Sequence, residues 1–311
     1  MVGVLATDSS THSTRTLRGI GLVLLATAAF MVMDALIRYF SGSLHPFELA
    51  FFRNLFGLLW LLPLLGRVGR GCLQTGQMRF YLLRGLVNNT GMMLFFLGLS
   101  WVPLAEATAL GFTIPLFASL LAIWILKEAT QWQRLLALAA GFLGTLVILR
   151  PGFQVISAGS MTILLASLLL AWAAILVKIL AQTESSLTIT TYMGLVQTPL
   201  SLIPALLVWQ WPTATEWWGL VALGALGTLG QLAVTQAYRQ ADLSTLMPFD
   251  FSAMIWATLI GYFAFGELPT IWTWIGSAII FFSGLWIAYD QSQARRMVLS
   301  ASLPKLPDTH H

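Results

Sequence analysis

The sequence predicts an all-α integral membrane protein in which ten transmembrane helices form two inverted five-helix repeats around a central cavity. The first observation is composition: 58% of the 311 residues are hydrophobic and 9% are charged, whereas soluble domains carry roughly 25% charged residues. The second is that apolar residues come in blocks of about 20, the length of a helix that crosses a hydrocarbon core roughly 30 Å thick. The third is that the second half of the chain repeats the pattern of the first. A soluble protein of this size would need far more polar surface.

Ten apolar segments qualify as predicted spans. They cover residues 17–40, 47–65, 79–100, 103–126, 132–149, 159–181, 187–208, 216–238, 241–265 and 270–289. Each is predicted to be helical, because a segment in lipid must satisfy its own backbone hydrogen bonds. The first segment is too long for the core of a signal peptide, so we expect it to be retained. Residues 1–16 are expected to form a disordered N-terminus and residues 291–311 a C-terminal tail.

Basic residues predict the orientation, since Lys and Arg are enriched in cytoplasmic loops. With the N-terminus inside, the inner segments hold Arg15, Arg18, Arg67, Arg70, Arg79, Lys127, Arg134, Arg239, Arg295, Arg296 and Lys305. The outer side holds Arg150 in a loop and Arg38 near a helix end. We therefore predict a multi-pass protein of the inner (plasma) membrane, with both termini in the cytoplasm.

An internal repeat divides the membrane region into residues 17–149 and 150–290. A shift of about 140 residues aligns Leu24-Leu25-Ala26 with Leu164-Leu165-Ala166, and Arg38 with Lys178. A slightly smaller shift aligns Ala105-Glu106 with Ala241-Asp242. Because each half has an odd number of predicted spans, the second half must lie inverted relative to the first. Inverted repeats are a transporter architecture with the substrate site near the membrane midplane.

An ordered set of short motifs carries a resemblance to a known family. The motifs are Met33-Asp34-Ala35 leading to Arg38, Phe51-Phe52-Arg53-Asn54, Ala105-Glu106-Ala107-Thr108-Ala109-Leu110, Phe112-Thr113-Ile114-Pro115-Leu116-Phe117, Pro248-Phe249-Asp250-Phe251 and Phe265-Gly266-Glu267. With them the chain, over about residues 17–290, resembles EamA-type members of the drug/metabolite transporter superfamily, which are ten-helix carriers built from two five-helix repeats. The resemblance implies an exporter or facilitator of amino acids and related metabolites, with a cavity lined mainly by spans 1, 3, 4, 6, 8 and 9. YddG-like aromatic amino acid exporters are one such group; other relatives carry riboflavin, S-adenosylmethionine or drug-like cations.

Ionisable and amide side chains inside spans are candidate functional groups, because they are costly in lipid. In span 1, Asp34 and Arg38 are spaced to pair along one helix face. The pair is either part of a cavity-facing stripe, with Asp34 exchanging partners between states, or a structural pair whose arginine reaches the interface. In span 3, Arg84 and Asn88 share a face, and Asn88 and Asn89 lie near mid-membrane. Their amides bind either substrate or a neighbouring helix.

Spans 8 and 9 carry a second set of candidates. Gln231 and Thr235 lie on a polar face of span 8 that is expected to form the opposite wall of the cavity. Asp250 follows Pro248, whose missing N–H frees backbone groups for an ion or a polar substrate. Asp250 is thus a candidate for proton coupling; the alternative is a buried ion pair with Lys178 or Arg53.

The remaining candidates are carboxylates near helix starts and deep aromatic rings. Glu106 and Asp242 are related by the repeat, and stabilisation of a helix start also explains them. Trp172 and Trp256 either line a pocket or pack against lipid and neighbouring helices. We expect substrate contacts at Asp34, Asn88, Asn89, Phe112, Trp172, Gln231, Thr235, Asp250 and Trp256. We expect coupling or gating roles for Arg38, Arg84, Glu106, Lys178, Asp242, Pro115 and Pro248.

Several function classes are disfavoured. All four histidines (His12, His45, His310, His311) lie outside the spans and Cys72 is the single cysteine, so we predict no metal site and no cofactor. Hydrolase motifs and a Walker A loop are missing, and basic residues sit at span ends rather than in a nucleic-acid-binding stripe. The prediction is therefore a non-enzymatic carrier of small molecules, and the resemblance implies aromatic and neutral amino acids as the first substrate class. Import of a vitamin or nucleoside-like metabolite, such as riboflavin or S-adenosylmethionine, is the alternative, followed by a channel or a membrane enzyme. The expected partners are the substrate and the lipid bilayer, and a homodimer remains open beside a monomer.

Overall fold

The computed structural model describes residues 3–68, 75–125, 132–150, 157–180, 183–184, 186–240, 246 and 249–302. Within these ranges the regular structure is helical, without β-strands, which confirms the predicted all-α class. The helices are α1 (Gly3–Phe40), α2 (Pro46–Val68), α3 (Met78–Leu99), α4 (Leu104–Gly111), α5 (Ile114–Ile125), α6 (Trp132–Leu149), α7 (Ala158–Leu180), α8 (Ser186–Leu207), α9 (Ala214–Gln240), α10 (Ser252–Phe265) and α11 (Ile271–Ser302).

Length and hydropathy identify membrane-spanning candidates among these helices. Five stretches of the described chain are long and apolar enough to cross a membrane: Leu17–Phe40, Met78–Leu99, Leu104–Ile125, Ala158–Val177 and Ala214–Ala237. Shorter apolar helices are Leu135–Leu149, Thr191–Leu207, Ser252–Phe265 and Ile271–Ile287. The fold is thus that of a helical membrane protein.

Two terminal helices are longer than the sequence predicts. Helix α1 begins at Gly3, within residues 1–16 that were expected to be disordered, and α11 continues to Ser302, beyond the predicted span end at 289. No proline interrupts either extension. Once a helix is nucleated, each added residue gains a backbone hydrogen bond for one residue fixed, so an apolar span extends readily into polar sequence.

The predicted fourth span, residues 103–126, is two helices and not one. Helix α4 ends at Gly111, α5 begins at Ile114, and Phe112 and Thr113 lie between them. Pro115 explains the break, because proline lacks an N–H and its ring collides with the carbonyl four residues earlier. The Thr113 hydroxyl and amide donate to the Leu110 carbonyl at 2.6 and 3.0 Å, which satisfies part of the interrupted backbone. The break therefore leaves irregular backbone inside the bundle, where only a protein-lined site tolerates it.

The most extensive helix contacts join the two halves of the chain. They pair α3 with α7, α1 with α9, and α6 with α11, while α2 packs against both α8 and α9. One large apolar cluster draws side chains from both halves, including Ile37, Leu49, Leu116, Leu220 and Ile280. The bundle is consequently held together by contacts between the halves.

Two of the crossings require glycine. A Cβ atom added to Gly98 of α3 would lie 2.9 Å from the Gly159 carbonyl oxygen of α7. A Cβ atom added to Gly276 of α11 would lie 2.6 Å from the Gly144 carbonyl oxygen of α6. Both distances are too short for a real carbon–oxygen contact, so the helices touch backbone to backbone. Small residues at crossings are a common feature of helix packing in membranes.

Candidate functional site

A buried hydrogen-bond network joins α2, α3 and α8 near the middle of the bundle. Arg53 Nη1 donates to Asn54 Oδ1 at 3.1 Å. Asn54 Nδ2 donates to Asn89 Oδ1 at 3.3 Å and to Ser201 Oγ at 3.2 Å. Asn54 thereby uses its oxygen and both of its side-chain N–H groups, which fixes its orientation. Asn54, Asn89 and Ser201 are all buried. We call these four residues, Arg53, Asn54, Asn89 and Ser201, the polar network.

Asp34 of α1 supplies the negative charge beside this network. Its side chain is 6% exposed, and Arg53 is the charged group that attracts it. Asp34 and Arg53 do not form a direct ion pair; among the described residues the ion pair observed is that of Arg38 with Glu267. Asp34 and Arg53 therefore attract each other without direct contact. Gly227 of α9 makes room for the guanidinium, since a Cβ there would lie 3.1 Å from Arg53 Nε. The site thus contains the opposite charges of Asp34 and Arg53, which attract each other but are not joined by a direct ion pair.

The predicted pairing of Asp34 with Arg38 is wrong. Arg38 forms an ion pair with Glu267 at the end of α10, and it also donates to the Val102 carbonyl. Its guanidinium lies 5.1 Å from the centre of the Phe265 ring. Spacing along α1 allowed the local pair, but the packing of α10 against α1 brings a carboxylate from the other half directly onto Arg38. Glu267 also accepts from the Leu104 amide at 3.3 Å and so caps α4.

Carboxylates tie the two halves together at this end of the bundle. We call this end of the bundle the Arg38 end; it consists of residues 38–48, 101–106, 157–160, 209–216 and 265–270. Glu48 accepts from the Gln210 amide at 2.7 Å, and Glu106 accepts from the Ser160 hydroxyl at 2.7 Å. Glu216 accepts from the Ser43 hydroxyl. With Arg38–Glu267, each tie joins the first half to the second.

A cleft opens beside the polar network, between α2, α8 and α9. The empty space in and around it is about 460 Å³, a volume that includes open solvent. Its polar lining residues are Arg53, Asn54, Gln197, Thr228 and Gln231. The predicted candidate Gln231 therefore lies in the cleft, whereas Thr235 is outside it and donates to the Gln231 carbonyl at 2.8 Å. Along α2 the lining runs from Arg53 to Leu61, away from the Arg38 end.

Other predicted residues lie apart from this cleft. Asn89 belongs to the polar network, but Asn88 is only half-buried and lies outside it. Arg84 is buried and its Nη2 donates to Met193 Sδ at 3.4 Å. Trp172 is 38% exposed on α7. Trp256 is half-buried, and its indole N–H has no hydrogen-bond partner among the described residues.

An aromatic cluster lies at the helix break. Phe112 stacks on Phe251 with ring centres 5.8 Å apart, and Phe281 lies 4.7 Å from Phe251. Asp250, next to this cluster, is half-buried. Among the described residues Asp250 and Arg53 form no ion pair, so the alternative of a buried pair between them is not observed. Asp242, Pro248 and the Lys178 side chain lie outside the described residues.

The sequence-based candidates omitted Asn54, Gln197 and Ser201, and treated Arg53 only as a pairing partner. The signal for Arg53 was available, because it is an ionisable residue within a span. Gln197 was detectable as an amide in an otherwise apolar stretch of span 7. What the sequence could not reveal is that these residues meet, since they lie on α2 and α8. Among described residues no cluster of His, Cys, Asp and Glu is arranged to hold a metal ion.

The family model described as the EamA-like transporter family matches the chain twice, over residues 17–150 and 157–289. An S-adenosylmethionine uptake transporter from Rickettsia bellii is 32% identical over 276 residues, covering 89% of this chain and 95% of that protein. A riboflavin transporter from Vibrio cholerae is 32% identical, covering 90% and 96%. A pseudopaline exporter from Pseudomonas aeruginosa is 27% identical, covering 84% and 93%.

A solved crystal structure shares the fold, with a TM-score of 0.58, 19% identity and coverage of 92% of this chain and 99% of that one. These matches extend over nearly the whole chain, and the proteins named are transporters rather than enzymes. The buried charges, the cleft and the helical membrane fold agree with that assignment. The chain therefore belongs to the EamA-like transporter family.

Proposed function

We propose that this protein carries a nucleoside- or flavin-like metabolite across the inner membrane by alternating access. The observation that carries the proposal is the polar network together with the buried Asp34: these polar groups lie among apolar helices, and Arg53 and Asn54 line the cleft. Charged groups inside a membrane bundle are expensive and mark substrate pathways. The loosely coupled charges of Asp34 and Arg53 leave each group able to bind a polar part of a substrate.

The proposed architecture is ten spans in two inverted repeats. A twofold relation would exchange each predicted span of the first half with the corresponding span of the second half, so that α1 exchanges with α7 and α3 with α9. The contact of α1 with α9 then becomes the contact of α7 with α3. The same exchange leaves the α2–α8 and α6–α11 contacts unchanged. All four contacts are present and extensive. A twofold relation between halves would generate this pattern, which supports the repeat.

The proposed orientation is the one predicted from basic residues, with both termini cytoplasmic and the Arg38 end outside. Cysteines introduced at Gly42 and Leu268, after replacement of the native Cys72, should then both react with an impermeant maleimide added to intact cells. Labelling of the two positions from opposite sides would contradict the proposed topology.

In the proposed cycle the Arg38 end is closed while the cleft extends towards the cytoplasm. The carboxylate ties between the halves hold this end shut, and the Arg38–Glu267 pair is the strongest of them by charge. To admit substrate from outside, the halves must rock apart and break these ties. Rocking of two repeats around a central site is the general scheme for such transporters.

The names of the relatives and the polar groups of the site support the proposed substrate class. The two relatives described above at 32% identity are named as transporters of S-adenosylmethionine and of riboflavin. Both compounds combine a planar ring system with polar groups. Aromatic and neutral amino acids are the second candidate class.

The test is flux into proteoliposomes that contain the purified protein. Labelled S-adenosylmethionine, riboflavin and phenylalanine are each offered, with empty liposomes as the control. A carrier gives saturable uptake, and unlabelled substrate trapped inside accelerates it by counterflow. Unsaturable conductance would instead identify a channel. An absence of flux for both S-adenosylmethionine and riboflavin would overturn the proposal, and flux of phenylalanine alone would identify the second candidate class.

A further inference from the structure

The side-chain amide of Gln197 is the one feature of the cleft that has no explanation in the packing. Gln197 lies on α8, lines the cleft and is 0% exposed. In the described chain neither its Oε1 nor its Nε2 has a hydrogen-bond partner. Buried side-chain polar atoms nearly always have one, so both atoms of one amide left unpaired is unusual.

The neighbouring polar network cannot supply the missing bonds. Asn54 already uses its oxygen and both side-chain N–H groups. The Ser201 hydroxyl donates to the backbone carbonyl of Gln197 at 2.7 Å, not to its side chain. An interhelical role for Gln197 would require a partner on α2, α3 or α9, and the described residues of these helices provide none. The partner must therefore come from the cleft.

We propose that Gln197 determines substrate specificity by binding a planar edge that carries a hydrogen-bond donor next to an acceptor. The proposal rests on the transport function proposed above. A carboxamide presents one acceptor and one donor side by side, and this pair matches the donor and acceptor edge of adenine in a bidentate arrangement. The imide edge of a flavin ring, with N–H beside C=O, has the same pattern. Both edges are neutral, so neither brings a further charge next to Asp34 and Arg53.

Access to Gln197 requires α8 to move, and two prolines inside α8 allow it to bend. Pro199 and Pro204 lie inside this helix. Each lacks an N–H, so the carbonyls of Leu195 and Leu200 lose their helical partners, and helices bend at such points. Bending at Pro199, two residues beyond Gln197, would displace the first part of α8 from α2, against which it packs. The amide would then face the widened cleft.

The test compares substrates with analogues whose edge is blocked by methyl groups. The two pairs are riboflavin with N3-methylriboflavin, and S-adenosylmethionine with its N6,N6-dimethyl analogue. Proteoliposome uptake is measured for wild type, Gln197→Leu and Gln197→Glu. The matched control is Thr198→Val, because the Thr198 hydroxyl is satisfied within α8 by the Gly194 carbonyl at 2.8 Å and lies outside the cleft lining.

Wild type and Thr198→Val should prefer the unblocked substrate by about 10- to 100-fold in KM, the range of a bidentate pair. Gln197→Leu should raise the KM of the unblocked substrate to that of the analogue, so the preference disappears. Its melting temperature in detergent should not fall, because the substitution removes two unpaired buried polar atoms. A structural amide would behave oppositely, with lower stability and an unchanged preference.

The outcomes separate the two proposals. If wild type carries neither riboflavin nor S-adenosylmethionine, the proposed function fails and the role of Gln197 falls with it. If wild type carries one of them but accepts its blocked analogue equally well, only the role of Gln197 is overturned. That comparison needs no variant, so it stands even if Gln197→Leu does not fold. Retained preference in a folded Gln197→Leu or Gln197→Glu variant would overturn it as well.

Discussion

The crossing of α6 and α11 is close enough to make a single methyl group destabilising. In Gly276→Ala the new Cβ would lie 2.6 Å from the Gly144 carbonyl oxygen and 2.4 Å from Ile148 Cγ1. The isoleucine tip can rotate away, but the carbonyl belongs to the helix backbone. Carbon–oxygen contacts between backbones are about 3.3–3.6 Å, so the two helices must separate by roughly 0.7 Å or more.

The magnitude follows from this separation. A gap of about 0.5–1 Å removes a quarter to a half of the dispersion energy of each contact, and inserting a methyl group into a packed interface costs about 1–3 kcal/mol. Replacing glycine by alanine within a helix returns about 0.5–1 kcal/mol through reduced backbone entropy. The net change for Gly276→Ala should be a loss of about 1–2 kcal/mol in the free energy of unfolding.

The assay is equilibrium unfolding of the purified protein in mixed detergent micelles, read by circular dichroism. Gly284→Ala is the control on the same helix, because a Cβ at Gly284 meets no atom within 4 Å. It should be neutral or stabilising by about 0.5–1 kcal/mol. Equal stability of Gly276→Ala and Gly284→Ala would refute the backbone-to-backbone crossing.

Three further substitutions test the buried charges and the tie at the Arg38 end. Asp34→Asn leaves Arg53 without its attracting charge and should lower the free energy of unfolding. The loss should be smaller than the roughly 3–5 kcal/mol for breaking a buried ion pair, because the two groups are not in direct contact. Part of it should be recovered in an Asp34→Asn/Arg53→Gln double variant; additive losses in detergent unfolding would contradict the coupling. Glu267→Arg places two like charges together at the Arg38 end and should lower counterflow rates. The double variant Arg38→Glu/Glu267→Arg restores opposite charges and should restore those rates. If it does not, the ion pair has no role in the transport cycle. Asn54→Ala strips partners from three neighbours and should lower the free energy of unfolding by about 1–3 kcal/mol, and an unchanged melting temperature would count against the network.

Fold class was within reach of the sequence because it depends on local properties. Apolar blocks of about 20 residues and sparse charges predict helical spans whatever their neighbours. The position of the break before Pro115 was partly available too, since proline disrupts the helix in which it stands. The extension of α1 back to Gly3 could not be predicted, because a polar flanking sequence has the same pattern whether it is helical or disordered.

The candidate site was predicted only in part, for a physical reason that Arg38 illustrates. Its local partner at helical spacing was Asp34, but its actual partner is Glu267, on a different helix of the other half. Electrostatic partner choice depends on which helices cross and at what level, and neither quantity is a property of a short segment. Asn89 was predicted as a mid-membrane amide, yet its bond to Asn54 follows from the contact of α2 with α3.

The amino-acid sequence alone determined that this is a helical membrane protein with a duplicated pattern of spans, because hydrophobic burial in lipid is decided segment by segment. Tertiary structure alone decided which polar groups meet: Asn54 with Asn89 and Ser201, Arg38 with Glu267, and the Gln197 side-chain amide with nothing in the described chain. In a medium without water, a buried polar atom is explained by its partner or by the lack of one. Partners are assigned by helix packing, which no single segment encodes.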